Sequence, residues 1–177
     1  YIPEEFVIDD RAQLHQIIRD NNFGALIGMV EGRPTATHLP FMLDADRGAQ
    51  GTLLVHMARA NPHWKSFGED EVLVIFSGPH GYVSPSWYEP GNAVPTWNYV
   101  AVHAYGVPVL ADGDADTVDH LRQLVDAQEA RFEAPWSLDS QDPAFVTGMS
   151  KGVVAFEIPI QRLEGKAKLN QNRTPTN

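Results

Sequence analysis

Apolar and polar positions change over quickly along this chain, and most apolar runs have strand length. Residues 24–31 (GALIGMVE) form one such run and predict a buried strand. Gly32-Arg33-Pro34 then reads as a turn, and residues 35–43 as a second strand. Pro40 interrupts that strand, which places it at a sheet edge or a bulge, because proline has no N–H for the ladder. Residues 52–58 (TLLVHMA) and 72–77 (VLVIFS) predict two more strands, with a loop or short strand at 80–84. Residues 85–95 hold three prolines and mark a long loop, after which 98–110 run as a strand. The pieces 153–160 and 162–169 are again strand-like.

Three stretches carry the helical period instead. Asp9 and Asp10 can cap a helix whose stripe is Leu14, Ile17 and Ile18, ending near Asn21-Asn22. Val118, Leu121, Leu124, Val125 and Phe132 fall at helical spacing within 114–132, with acids in the early turns. Asp142-Pro143 reads as an N-cap followed by proline at the first helical position, opening a short helix towards Met149. Strands dominate and helices come as insertions. The expectation is a mainly β fold with α decoration, a closed or half-closed barrel, in a single domain over 1–177 with a helical insertion around 114–150.

Composition removes several alternatives. A chain of 177 residues with 43% hydrophobic content can bury a real core. With no cysteine there is no disulfide framework, thiolate metal site or cysteine nucleophile. No apolar run approaches the roughly 18 residues of a membrane span. Tyr1-Ile2-Pro3-Glu4-Glu5 lacks the basic-then-apolar order of a signal peptide, so a cytoplasmic location is expected by default. The balance of 13 basic against 23 acidic residues gives a net charge of −10. Affinity for nucleic acid is dominated by phosphate neutralisation, so direct nucleic-acid binding is not expected. No helix-turn-helix with a basic face is visible either. A small anion needs only a local patch. Arg59 with Lys65 is one, and Lys166, Lys168 and Arg173 form another.

Two segments carry candidate chemistry. Val94-Pro95-Thr96-Trp97-Asn98-Tyr99, with His103 behind it, sets aromatic faces beside hydrogen-bonding groups, which suits a flat, polar-edged ligand. His56-Met57-Ala58-Arg59-Ala60-Asn61-Pro62-His63-Trp64-Lys65 brings an arginine onto a predicted helix start at Asn61-Pro62. Free N–H groups there would attract an anion. A capped surface helix with two solvated cations explains the same spacing equally well. Gly81 to Tyr88 holds two serines and three aromatics. It reads as a loop anchored on the core by Trp87, and without a Gly-x-Ser-x-Gly elbow it is no serine hydrolase site. His38, His56 and His103 lie on separate predicted strands and could converge on a metal. No tight metal spacing supports that, and strand histidines are more often structural.

The motifs His38-Leu39-Pro40-Phe41, His56 to Trp64, Gly81 to Tyr88, Val94 to Gly106 and Lys168-Leu169-Asn170-Gln171-Asn172-Arg173 together resemble, in that order, those of the PaiB family. Tyr1-Ile2-Pro3 and Phe6 fit as well, so the resemblance spans nearly the whole chain. Members are described as FMN-binding negative transcriptional regulators related to protease synthase and sporulation. The resemblance implies an FMN-binding split β-barrel, shared with pyridoxamine phosphate oxidase, and a homodimer with flavin near the subunit interface. It implies flavin phosphate at Arg59 and Asn61, with His56, Ala58, Trp64 and Lys65 around it. Thr96, Trp97, Asn98 and Tyr99 would stack on and hydrogen-bond the isoalloxazine, in a dimer from the partner chain. Lys168, Gln171 and Arg173 would close the site. Asn170 stands where relatives commonly have serine. Two function classes follow: a flavin-binding regulator or small-molecule sensor acting indirectly, or a flavin or heme enzyme of the kind found among related split barrels.

Overall fold

The computed structural model describes residues 1–88 and 91–173. The elements run as β1 (Val7–Ile8), α1 (Arg11–Asp20), β2 (Phe23–Val30), β3 (Arg33–Pro40), β4 (Met42–Asp44), β5 (Thr52–Ala58), β6 (Val72–Val83), β7 (Thr96–Gly106), β8 (Val109–Leu110), α2 (Gly113–Glu129), α3 (Pro143–Ser150), β9 (Val153–Pro159) and β10 (Arg162–Lys168). They make a six-stranded sheet ordered β1-β10-β7-β6-β2-β3 and a four-stranded sheet ordered β4-β5-β9-β8, antiparallel throughout. The fold is mainly β with helical decoration, as the patterning predicts.

The local signals explain most boundaries. Asp10 accepts from the Ala12 N–H at 2.8 Å and starts α1. Asp142 accepts from Phe145 N at 2.9 Å and starts α3 behind Pro143. Glu31 and Gly32 both take positive φ, 50° and 73°, which tightens the β2–β3 turn one residue earlier than the sequence suggests. Pro40 ends β3, which is indeed an edge strand. The chain does not bulge there but changes sheets: buried Phe41 donates its N–H to Asn22 O at 2.8 Å, and β4 begins in the second sheet. The pieces expected at 72–77 and 80–84 form one long strand with a register shift between Ser77 and His80.

The core lies between the sheets. Leu26, Val74, Phe76, Val102 and Ala104 from the large sheet meet Leu53, Val55, Met57, Phe156 and Ile158 from the small one. Burial of each of these side chains except Ala104 contributes roughly 1.5–3 kcal/mol. On β5 the odd positions enter this core, while Leu54 and His56 point to the other side, beneath α2.

The run 24–31 is not buried on both faces. Leu26 is fully buried, whereas Phe23 and Met29 are exposed and Ala25 and Ile27 half-buried. Pair partners in a ladder share a face, so Ile75 and His103 sit beside Ala25, and Leu73 and Tyr105 beside Ile27. The outer face of the large sheet is therefore apolar along β2 and β6, while its β10 side carries Arg162, Glu164 and Lys166.

Candidate functional site

The first group of expected residues sits where β5 ends. Asn61 caps a short 3₁₀ turn, Pro62–Ser66, through its Oδ1, which accepts the His63 N–H at 3.0 Å. Its Nδ2 donates to Thr37 Oγ1 at 3.2 Å. The side chain of Asn61 is thus spent on local bonds. The amide expected to be free for an anion is already satisfied, and a single 3₁₀ turn has no macrodipole to add. What remains for an anion is side-chain charge. Arg59 Cζ and Lys65 Nζ lie 6.0 and 5.8 Å from the Trp64 ring centroid. Trp64 is itself fixed by donating Nε1–H to Arg59 O at 3.0 Å. Arg59 donates Nε–H to Lys151 O and Nη2–H to Val153 O, both at 2.8 Å, which pins β5 to the α3–β9 turn and leaves Nη1 for another partner. Ala58 is exposed at the strand end. His56 faces α2, away from Arg59's tether.

The second group gathers at the far end of β7 and β10. Lys168 Nζ donates to Thr96 Oγ1 and, at 3.1 Å, to Trp97 O. Thr96, Lys168 and Arg173 line a cavity of about 230 Å³ together with Asn170 and Asn172. Arg173 lies 5.3 Å over the Tyr88 ring, and the Tyr88 hydroxyl accepts from Asn170 Nδ2 at 2.9 Å. Asn170 has φ 64°, a conformation asparagine tolerates far better than most residues. Gln171 accepts from Leu169 N at 2.7 Å and donates to Glu5 O at 3.0 Å, so it ties the segment after β10 to the one before β1 and is not among the residues lining the cavity. Tyr88, Asn170 and Asn172 join this group beyond the residues expected in it. All three lie inside motifs quoted from the sequence, which was the only signal for them.

Strand alternation divides the run 96–99. Trp97 and Tyr99 project from the outer face. Trp97 is exposed and meets Tyr82 edge-on at 5.9 Å. Tyr99 carries Lys166 at 5.2 Å over its ring and lines a separate, smaller cavity with Tyr1, Ile2 and His103. Thr96 and Asn98 belong to the opposite register. Asn98 Oδ1 is buried and has no hydrogen-bond partner among the described residues. Trp87, expected as a core anchor, is 70% exposed. Ser84 caps the turn Pro85–Trp87 and bonds Ser86 Oγ at 2.8 Å. His38, His56 and His103 do not converge: His38 stacks on Phe23, His56 lies under α2 and His103 sits on the outer sheet face beside Tyr105. Burial holds His56, His63, His103 and His120 below the usual imidazole range.

No described hydrogen bond, ion pair or cavity joins the β5 group to the β7–β10 group. Each group nevertheless suits part of a flavin mononucleotide. Arg59 Nη1 and Lys65 suit a phosphate ester, which leaves the isoalloxazine to the β7 group. The exposed Trp97 and Tyr82 rings suit its face.

Known proteins bear on this fit. The chain is 34% identical over 177 residues to protease synthase and sporulation protein PAI 2 of Bacillus subtilis (strain 168), covering 99% of this chain and 84% of that one. It is 31% identical over 198 residues to an uncharacterized protein of Emericella nidulans, covering 89% and 79%. Among solved structures, the flavocytochrome Anf3 of Azotobacter vinelandii superposes with a TM-score of 0.68 at 16% identity, over 93% of this chain and 70% of that one. The FAD and heme binding protein of Mycobacterium smegmatis gives 0.65 at 15% identity, over 92% and 73%. Identities this low speak for the fold alone, the split barrel of flavin-binding proteins. The family described as "Putative FMN-binding domain" matches residues 1–162, and with the Bacillus relative it places this chain in the FMN-binding family of PaiB-type split barrels.

Proposed function

We propose that this protein works as a homodimer that holds FMN between the β5 end of one protomer and the β7–β10 end of its partner, and that it acts as a redox or small-molecule sensor with an indirect effect on transcription. The observation that carries this reading is the separation of the two residue groups. Each suits a different part of the same cofactor, and a second copy of the chain supplies what one copy lacks. The uncovered face with Phe23, Met29, Tyr82 and Trp97 gives that copy an apolar surface to meet. Arg59 and Lys65 hold the phosphate, with Trp64 positioning both cations. Trp97 and Tyr82 address the ring face, and Lys168 and Arg173 close the site. When bound, FMN supplies the electron chemistry. The protein binds, orients and shields it. The net charge of −10 favours action through a small molecule or a protein partner over direct DNA contact.

The absorption spectrum of freshly purified protein tests the cofactor, and flavin bands are expected. A heme Soret band, or no chromophore after reconstitution with FMN, overturns the reading. Complementation tests the shared site. Arg59→Ala protein is mixed with Lys168→Ala/Arg173→Ala protein and dimers are allowed to exchange. A site built across two chains regains one FMN per heterodimer, because one of its two sites is wholly wild type. A site built within one chain regains none. Salt-sensitive binding of duplex DNA would refute the indirect route, and steady turnover with a nicotinamide reductant would make the protein an enzyme.

A further inference from the structure

A further cavity, of about 310 Å³, lies between α2 and the strand β5. Its walls are Pro40, Leu121, Leu124, Val125 and Trp136, and its one imidazole is His56. Gln128 and Glu129 stand at the C-terminal end of α2. Glu129 accepts the Trp136 N–H at 2.9 Å, which fixes the segment after α2 against the cavity wall. The His56 side chain has no hydrogen bond among the described residues. Its Nδ1 is dry and unpartnered. Nε2 is left as the ring atom that can reach a ligand.

We propose that this cavity binds a small neutral aromatic molecule, separate from flavin, whose single hydroxyl or N–H group bonds to His56. Four features select that chemistry. The apolar walls match an aromatic body, and a cavity of this size takes one small ring system. His56 Nε2 has no partner among the described residues, and in an apolar pocket one polar ligand atom is the partner it lacks. Burial keeps His56 uncharged near neutral pH, so it does not attract an anion. Among the described residues no cation lines the cavity, while Glu129 and the helix C-terminus both repel negative charge, which disfavours the phosphate end of FMN. The inference does not depend on the flavin reading. It removes His56 from the expected flavin contacts and gives that residue a ligand of its own.

The probes are p-cresol and p-xylene, which share one shape and differ by a hydroxyl against a methyl. Each is titrated by calorimetry into FMN-loaded and FMN-free protein, while the His56 ring nitrogens are followed by NMR. Saturable p-cresol binding at least tenfold tighter than p-xylene is expected, with a shift at His56 Nε2 and no change in FMN occupancy. His56→Phe should bring the two affinities together, and Leu121→Trp, which fills the cavity from a half-buried position, should abolish both. Absence of saturable p-cresol binding, equal affinities in the wild type, or an unaffected Leu121→Trp variant would overturn the proposal. Competition between FMN and p-cresol would overturn it too, by making the cavity part of the flavin site. A protein that binds p-cresol but no FMN would sink the flavin reading and leave this one standing.

Discussion

Replacing Gly106 with alanine tests how the two sheets are joined. Gly106 ends β7 where the chain is about to leave the large sheet, and a Cβ there would lie 2.2 Å from Pro159 O and 2.8 Å from Ile158 Cγ2. The first neighbour is backbone and cannot rotate away. Ordinary contact needs a retreat of about an ångström by the end of β9, and that end is held on both sides. Ile160 N–H bonds Gly51 O at 3.0 Å, and Gln161 N–H bonds Tyr105 O at 2.8 Å. Overpacking of this kind costs about 1–3 kcal/mol. Each backbone hydrogen bond stretched beyond use adds roughly 0.5–1.5 kcal/mol. The sum is about 2–6 kcal/mol, read as a lower urea midpoint at unchanged slope, or as a fall in Tm of about 4–24 °C for a domain of this size. Gly81→Ala is the control, because its Cβ would meet nothing within 4 Å. It should stay within about 0.5 kcal/mol of wild type. If Gly106→Ala unfolds at the same urea concentration as the control, β7 and β9 are not in close backbone contact and the sheet junction is misread.

Other consequences are as direct. Arg59→Ala should weaken FMN binding about tenfold or more and leave riboflavin affinity unchanged, since a lost charge-assisted bond to phosphate is worth about 1.5–3 kcal/mol; equal FMN affinity removes Arg59 from the phosphate site. Asp142→Ala should cost about 1 kcal/mol by deleting the α3 cap, and Asp142→Asn should recover most of it in the same urea titration. His56 and His120 are held below the usual imidazole range by burial, so the unfolded chain binds their protons more readily. Stability should therefore fall as pH drops below about 6.5, and the fall should be shallower in a His56→Phe/His120→Phe double variant; parallel curves between pH 7.5 and 5.5 would remove these two histidines from the linkage.

Local chemistry made much of the fold legible. The caps Asp10, Asn61 and Asp142 act within three residues of themselves, and the strands 52–58 and 153–160 announce themselves by composition. Sheet membership was not legible. Pro40 signals an edge, but nothing near it says that Phe41 carries the chain into another sheet, because that depends on partners far along the sequence. The run 24–31 looks fully buried, since an apolar face reads the same whether a helix, a second sheet or another subunit covers it. At the candidate site the residue types were visible but their grouping was not. Thr96 and Trp97 are adjacent in sequence and diverge in space, while Thr96 and Lys168 converge. Trp87 shows the reverse error: a large aromatic beside proline suggests an anchor, and here it stands in solvent.

The pairing of β5 with β9 also orders events in time. Residues 52–58 find their ladder partners only in 153–159, and β1 finds its own only in Lys166 and Gly165. On a ribosome the central strands and α1 are made early, yet the small sheet cannot be completed until the last part of the chain has emerged. Closure of so long a loop comes before most of its reward, which predicts slow folding for a protein of this length. Until then β5 has β4 on one edge and no ladder partner on the other. The nascent chain is most exposed to aggregation and proteases in that interval, and a truncation just short of β9 should behave as an unfolded polypeptide.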